Sequence, residues 1–450
     1  MTPRFDRPSP GDPTAIRFPP IARGRLDNGL SVWTIPYRGA PVASATLVLS
    51  RGTGDDPAPL PGLASLTGDL LDEGAGSRDA IVLADAFGQL GTQLDIDVGP
   101  DATTLSISGL ARFLPEALVL MADVVIRPRL EAGDFARVRE LRLNRLRQLS
   151  RSATTMADRA YVSALFGGHA YGHGALGTTS SLEAVTLADA QEFWRRMYAP
   201  AAATLIVVGD IEPQDVASHA GRAFGAWQAK MAVPAPTATP DEPADPRVLL
   251  VDRPGSPQSE LRIGHVGPPR STPVYHALVT LNAVLGGQFT SRINRRLREE
   301  KGVTYGARTS FDFRRVAGTF SCDTSVQADA TAAAVTDVLE EFGRVGEDSV
   351  PADELDAAKA SLTRGYVRNF ETAAQIARAA VQLATHALPD ETFDRFVPAI
   401  QHVTGTAVRD AARAWIRPSE ATVVVVGDAA VCAAPLEAIG RTVSIVSPEF

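Results

Sequence analysis

Two hydrophobic periods alternate along the 450-residue chain. Leu30-Ser-Val-Trp-Thr-Ile35 follows the tight-turn signal Asp27-Asn28-Gly29 and has the composition of a strand. Thr46–Ser50 reads as another, and Thr103–Leu110 alternates apolar with polar positions, the pattern of a half-exposed antiparallel strand. Between these, Leu63, Leu66 and Leu70 recur at helical spacing within Pro61–Leu71, and Leu114–Ile126 predicts an amphipathic helix. A long helix is expected from Asp134-Phe135 to about residue 150, and a further one over 187–198 with Phe193 and Trp194. Helices and strands mix without strict alternation. The predicted class is therefore α+β, a mostly antiparallel sheet covered by helices.

The pattern occurs twice. Ala201-Ala-Ala-Thr-Leu-Ile-Val-Val-Gly-Asp210 returns as Ser419-Glu-Ala-Thr-Val-Val-Val-Val-Gly-Asp428, so that 218 residues separate Asp210 from Asp428. Pro200 matches Pro418, Val185-Thr186 matches Val403-Thr404, and a second amphipathic helix over 405–416 carries Val408 and Trp415. Asp353-Glu354-Leu355 opens the counterpart of the helix that begins at Asp134. Ordered matches at a nearly constant interval predict a duplication, with small surface-loop insertions absorbing the drift. Between the copies, Pro234, Pro236, Pro240, Pro243 and Pro246 predict an extended, semi-rigid linker over 232–247. The expected organisation is two homologous α+β domains, 20–231 and 248–450.

Composition removes several function classes. Lys+Arg number 44 against 52 Asp+Glu, a net charge of −8 with no basic run, which disfavours nucleic acid or an anionic membrane as partner. Hydrophobic residues at 45% and charged residues at 21% are ordinary for a globular protein. Cys322 and Cys432 are too few for a disulfide framework and are not spaced as a metal clip. The longest apolar runs, such as Val423–Val426, are strand-length, so no membrane span is expected. The first thirty residues contain Arg4, Arg7, Pro8, Pro10 and Pro13 and no apolar core of signal-peptide length. A cytoplasmic location is the expectation, with a periplasmic one the open alternative.

The strongest local constellation lies in the second copy: Leu285-Gly286-Gly287, Ser291-Arg292, then Leu297-Arg-Glu-Glu-Lys-Gly-Val-Thr-Tyr305. A helix from about residue 290 should end at Lys301, because Gly302 suits the left-handed position after a helix. Thr304-Tyr305 and Thr309–Phe313 then open a hairpin around Arg314-Arg315. This brings Arg298 near Tyr305, a guanidinium and a phenol suited to an oxyanion or a peptide carbonyl. The alternative is that Arg298 pairs with a local carboxylate and Tyr305 is a half-buried strand residue. His169 and His173 have i,i+4 spacing, but the glycines around them place them on a loop instead of a ligand-bearing helix. Cys322 sits in a plain strand pattern, which speaks against a nucleophile there. No phosphate-binding or nucleophile-elbow motif is present.

These residues resemble the insulinase/pitrilysin family of zinc peptidases, which includes the mitochondrial processing peptidase subunits. The landmarks run in family order: Asn28-Gly-Leu-Ser-Val32, Gly62-Leu-Ala64, the helix around Arg137–Arg145, Tyr171-Gly-His-Gly-Ala-Leu-Gly177, Val208-Gly-Asp210, Leu297-Arg298 with Gly302-Val-Thr-Tyr305, and Val426-Gly-Asp428. Active members follow Gly-Leu-Ala with His-x-x-Glu-His, two zinc ligands and the base that activates water. Here the histidine positions are Ser65 and Asp69, and the glutamate position is Gly68. The third ligand, a glutamate in the family, falls near Arg145 or Leu146. The resemblance therefore implies no zinc in this chain. It also implies that Arg298 and Tyr305 match the pair that reaches a zinc site from the second domain and binds the scissile carbonyl. The implied function is the zinc-lacking subunit of a heteromeric metallopeptidase, with zinc in a homologous partner carrying His-x-x-Glu-His and a peptide or unfolded protein as substrate. The alternative is a catalytically silent scaffold of the same family, and a minor third reading is an independent hydrolase with an unrecognised site. Gly286 and Gly287 either contact substrate or permit close packing. Asp69 and Arg145 either form an ion pair where the metal would sit or both face solvent.

Overall fold

The structure is a computed structural model that describes residues 11, 15–228, 239–240 and 247–450. Of the expected linker 232–247, all but residues 239, 240 and 247 lie outside the described residues. Two six-stranded sheets form the frame. The first contains β1 (Ala22–Arg25), β2 (Ser31–Pro36), β3 (Val42–Leu49), β4 (Asp95–Val98), β5 (Thr103–Leu110) and β6 (Ala203–Gly209). Its spatial order is β1-β2-β6-β3-β5-β4. The second contains β7 (Arg247–Asp252), β8 (Gln258–Gly267), β9 (Ala307–Asp312), β10 (Gly318–Gln327), β11 (Thr422–Gly427) and β12 (Thr442–Ile445). Its order is β12-β7-β11-β8-β10-β9.

Laid side by side, five strands of one sheet match five of the other in order and direction. In each, one parallel pair (β2 with β6, β7 with β11) is followed by antiparallel pairs out to the far edge. The sixth strand differs. β1 is the antiparallel hairpin partner of β2, turned through Gly29 at φ 92°, whereas β12 arrives from the other end of the chain and pairs parallel with β7. The mixed α+β class with mostly antiparallel pairing agrees with the hydrophobic pattern.

The helices repeat as well. In the first half α1 (Leu63–Leu71) packs against α2 (Ala132–Leu149) and α4 (Leu187–Met197), and in the second half α5 (Tyr275–Leu285) packs against α6 (Ala352–Thr363) and α9 (Gly405–Trp415). Thr186 and Thr404 occupy equivalent N-caps, each side chain accepting from the backbone N–H three residues on. Leu114–Ile126 is helical with the bounds the periodicity predicts.

One pair of equivalent helices does something the pattern does not announce. α3 (Ala153–Phe166), from the first half, lies on the second sheet, and α7 (Ala373–His386), from the second half, lies on the first. Strand side chains alternate between faces. Leu205 and Val207 therefore face the first domain's own helices, while Ile206 and Val208 face Ile376, Ala380 and Leu383 of α7. Val423 and Val425 likewise face the second domain's core, and Val424 and Val426 face Ala157, Ala160 and Tyr161 of α3. Both faces of the central strands are thus covered, which is why β6 and β11 read as unbroken apolar runs. Each such fully buried side chain is worth about 1.5–3 kcal/mol, so the exchanged helices clamp the halves together.

Candidate functional site

Two of the three positions that the resemblance aligns with zinc ligands, Ser65 and Asp69, lie on α1, and the third, near Arg145, lies on α2. The start of α1 is fixed by Asp56, whose carboxylate accepts from the backbone N–H groups of Gly62 and Ala64 at 2.6 Å each. Gly62 has φ 92°, and a Cβ there would meet the backbone of Gly177 at 2.6 Å. The glycine lets the Tyr171–Gly177 loop lie across the helix start. Burial pushes the Asp56 carboxyl up to about 7, against the opposing pull of those two hydrogen bonds and of Arg142. His173 on the loop has Nε2 3.7 Å from Asp56, and burial lowers its pKa, so it faces Asp56 as a neutral ring.

One turn into α1, Ser65 and Asp69 meet a guanidinium. It belongs to Arg142, not Arg145. Arg142 donates from one terminal nitrogen to Asp69 at 2.5 Å and to Ser65 at 3.2 Å, and from the other to the carbonyl of Ala175 at 2.9 Å. The expected pairing of Asp69 with Arg145 is therefore corrected: Arg145 is exposed on α2, and the ion pair forms one turn earlier. The reason is helical geometry. Phe135, Val138, Arg142 and Leu146 are buried on one face of α2, and three residues of helix turn the side chain of Arg145 about 60° away from that of Arg142. The side chain of Arg142 is 4% exposed and that of Asp69 is 50% exposed. Gly68, at the position of the family's base, abuts β4: a Cβ there would meet the Val98 side chain at 2.6 Å.

The second locus is the Arg292–Tyr305 segment. Residues Arg292–Asn294 are α-helical and Arg295–Glu300 form a π-helix, with Gly302 at φ 65° ending it as expected. The arginines of this stretch fare differently. Arg292 pairs with Glu354 at 2.7 Å, Arg295 approaches the same carboxylate at 3.7 Å, and Arg296 pairs with Asp337 at 3.0 Å. Arg298 has no carboxylate partner among the described residues. Its guanidinium stacks on the Phe289 ring at 3.5 Å, and one terminal nitrogen is buried without a hydrogen bond. Tyr305 is 94% exposed and precedes strand β9 instead of opening it. It projects from a pinned loop. Asn294 donates to the carbonyl of Ala307 at 2.6 Å and accepts from its N–H at 2.9 Å, while Thr304 donates to the carbonyl of Ser325 at 2.7 Å. No hydrogen bond joins Arg298 to Tyr305 among the described residues.

Gly286 and Gly287 are explained by close packing. A Cβ on Gly286 would sit 2.6–2.7 Å from the side chain and backbone N of Thr309 on β9, and one on Gly287 would sit 2.7 Å from Asn282. The Thr309 N–H donates to the carbonyl of Gly286 at 3.3 Å. His169 and His173 lie on a loop as expected. Cys322 is buried within β10 and burial pushes its thiol up, the opposite of what a nucleophile needs. Among the described residues no group of three or more His, Cys, Asp or Glu side chains is placed to hold a metal ion.

Residues 184–362 match the family described as the peptidase M16 inactive domain. A Mycobacterium tuberculosis protein named as an uncharacterized zinc protease is 27% identical over 367 residues, 81% of this chain and 83% of that one. A Helicobacter pylori protein named as a non-peptidase homolog is 22% identical over 309 residues, 67% of this chain and 69% of that one. The crystal structure of a peptidase M16 inactive domain from Pseudomonas fluorescens superposes with a TM-score of 0.85 at 25% identity, covering 91% of this chain and 98% of that one. Over most of its length this chain is similar to M16 peptidase-family proteins, and residues 184–362 match that family's inactive domain.

The locus around Ser65 and Asp69 does not fit zinc. Ser65 and Asp69 are bridged by a guanidinium, and any side chain at Gly68 would press on the Val98 side chain of β4. Arg142 is the residue that the sequence reading missed. The available signal was a charge inside the apolar stripe Phe135, Val138, Leu146 of one helix, where a lone arginine requires a partner. Asp56 was also missed. It lies in a loop with no periodicity, and only the fold brings it to the start of α1. No described helix is long and apolar enough to cross a membrane.

Proposed function

We propose that this chain is the non-metal half of a two-chain M16 peptidase and that its chemical contribution is Arg298 and Tyr305. The observation that supports this reading is the state of Arg298. Its neighbours Arg292, Arg295 and Arg296 have carboxylates within 4 Å, whereas Arg298 rests on Phe289 with a buried, unused donor. Desolvating a guanidinium without a counter-ion is costly. The cost is understandable where the donor awaits an oxygen delivered from elsewhere, because a preorganised donor needs no rearrangement when negative charge develops. Tyr305, exposed on its pinned loop, is the second donor. Together they bind the scissile carbonyl of a peptide or unfolded segment and stabilise the oxyanion that forms from it. The partner is a homologous subunit with His-x-x-Glu-His, whose zinc supplies the activated water. Substrate adds as a strand to a sheet edge of that partner. Gly286 and Gly287 serve by bringing the Leu285–Gln288 turn against β9.

The test is cleavage of a fluorogenic peptide by this chain alone, by a purified zinc-binding homologue alone, and by the two mixed. Activity is expected only in the mixture. Arg298→Ala and Tyr305→Phe should each lower kcat/KM by about 10²–10³-fold, the range for removing one oxyanion donor. A mixture whose rate is unchanged by both substitutions overturns the role of the pair and leaves the scaffold reading in its place.

A further inference from the structure

A cavity of about 710 Å³ opens between α5, the turn Tyr366–Phe370, α7 and α8 (Thr392–His402). It lies where α7 leaves its own domain to cover the first sheet, and it contains neither Arg298 nor Tyr305. Its volume falls in the range of small-molecule sites, about 300–1,000 Å³. The walls are aromatic. Tyr366 and Phe396 stack at 4.2 Å between ring centroids, and Phe370 and Phe393 continue the surface at 5.4 Å from one another.

The charges in this cavity do not cancel. Glu391 is the one acid of the lining and is held by Arg395 at 3.0 Å. Arg270 has no acid partner among the described residues. Its guanidinium lies flat on the Tyr275 ring at 3.6 Å, which leaves the edge of the fork open, and burial lowers its pKa as expected for an uncompensated cation. Arg378 is exposed and likewise has no acid partner among the described residues. His276 is held neutral by burial and by Arg270, so it adds no charge. A partly buried guanidinium lying on an aromatic ring, inside a cleft with aromatic walls, matches a planar carboxylate carried on an apolar body. Phosphate offers an arginine the same kind of acceptor but has no apolar body to set against the aromatic walls.

We propose that this cavity binds an apolar or aromatic molecule bearing a single carboxylate, the carboxylate on the open edge of Arg270 and the apolar part against Tyr366, Phe396 and Phe393. The C-terminus of a peptide ending in an aromatic residue and a free arylalkanoic acid share this chemistry. The inference does not rest on the role proposed for Arg298 and Tyr305.

The test is calorimetric titration of the full chain with four probes: a pentapeptide ending in free phenylalanine, the same peptide amidated, 3-phenylpropionate, and inorganic phosphate. The free-acid peptide should bind at least tenfold more tightly than its amide, and phosphate should not displace it. If 3-phenylpropionate binds as well as the peptide, the ligand is the small acid; if it binds much more weakly, the ligand is the peptide terminus. Arg270→Gln should abolish the preference of acid over amide, while Arg298→Ala should leave it intact. Equal binding of acid and amide to the unaltered chain overturns the proposal, as does phosphate binding in place of both carboxylates or the absence of any binding. The acid–amide comparison needs no substitution, so it holds even if Arg270→Gln folds poorly.

Discussion

Removing the Asp69 carboxylate tests whether the Arg142 guanidinium organises the Ser65–Asp69 locus. In Asp69→Ala, Arg142 keeps only the Ser65 hydroxyl at 3.2 Å and the Ala175 carbonyl at 2.9 Å, with its Nε already buried and unpaired. Breaking a fully buried ion pair costs about 3–5 kcal/mol. Asp69 is half exposed, so water enters the space it vacates and the cost should fall to about 1.5–3 kcal/mol. At about 2–4 °C per kcal/mol for domains of this size, Tm should drop by roughly 3–12 °C. Circular dichroism melts, with urea titrations to show an unchanged m-value, measure this. Arg145→Ala is the control. Its side chain is exposed and unpaired among the described residues, so the change should stay within about 0.5 kcal/mol. If Asp69→Ala melts with the parent, or if Arg145→Ala costs as much, the assignment to Arg142 is wrong.

Three further outcomes are expected. Rebuilding the motif by Ser65→His, Gly68→Glu and Asp69→His together should not yield a chain that holds one equivalent of zinc, because Arg142 lies between the two positions and Val98 fills the space beside Gly68; elemental analysis after dialysis decides, and stoichiometric zinc refutes the argument. Asp56 is raised from 3.8 to about 7 in the folded protein, so it holds a proton there that the unfolded chain has lost, and its contribution to stability disappears as pH rises through that window and is level above it. His173, His276 and His386, all lowered, work in the opposite sense, their contribution being lost as pH falls below 6.5. Urea titrations between about pH 5 and 8 should therefore show a steeper fall for the parent than for Asp56→Asn, and identical profiles would contradict the assignment. Gly286→Ala should destabilise by about 1–3 kcal/mol through its clash with Thr309; a neutral result in a denaturation series would remove the packing account of that glycine.

Much of the fold was legible because its signals are local. Alternation in Thr103–Leu110, helical spacing in Leu114–Ile126 and a glycine at 302 each act over a few residues, and the structure places strand, helix and left-handed turn at those positions. The duplication was legible for the same reason twice over. The Arg298 and Tyr305 neighbourhood was legible as a segment. The stacking on Phe289 was not, since a ring nine residues away carries no periodic signal.

The sequence by itself determined the elements, their repetition, and that α1 carries neither histidine nor glutamate. It also placed unbroken apolar runs at β6 and β11, without saying what lay on each face. Only the tertiary structure decided that α3 and α7 change places, so that each half covers the other's sheet. It alone selected Arg142 over Arg145, because a one-turn difference along α2 is trivial in sequence but separates a buried face from solvent. And it alone gathered Arg270, Tyr366 and Phe396 around one cavity. Local chemistry fixes which way a backbone turns, whereas contacts between residues far apart in the chain depend on how whole elements pack.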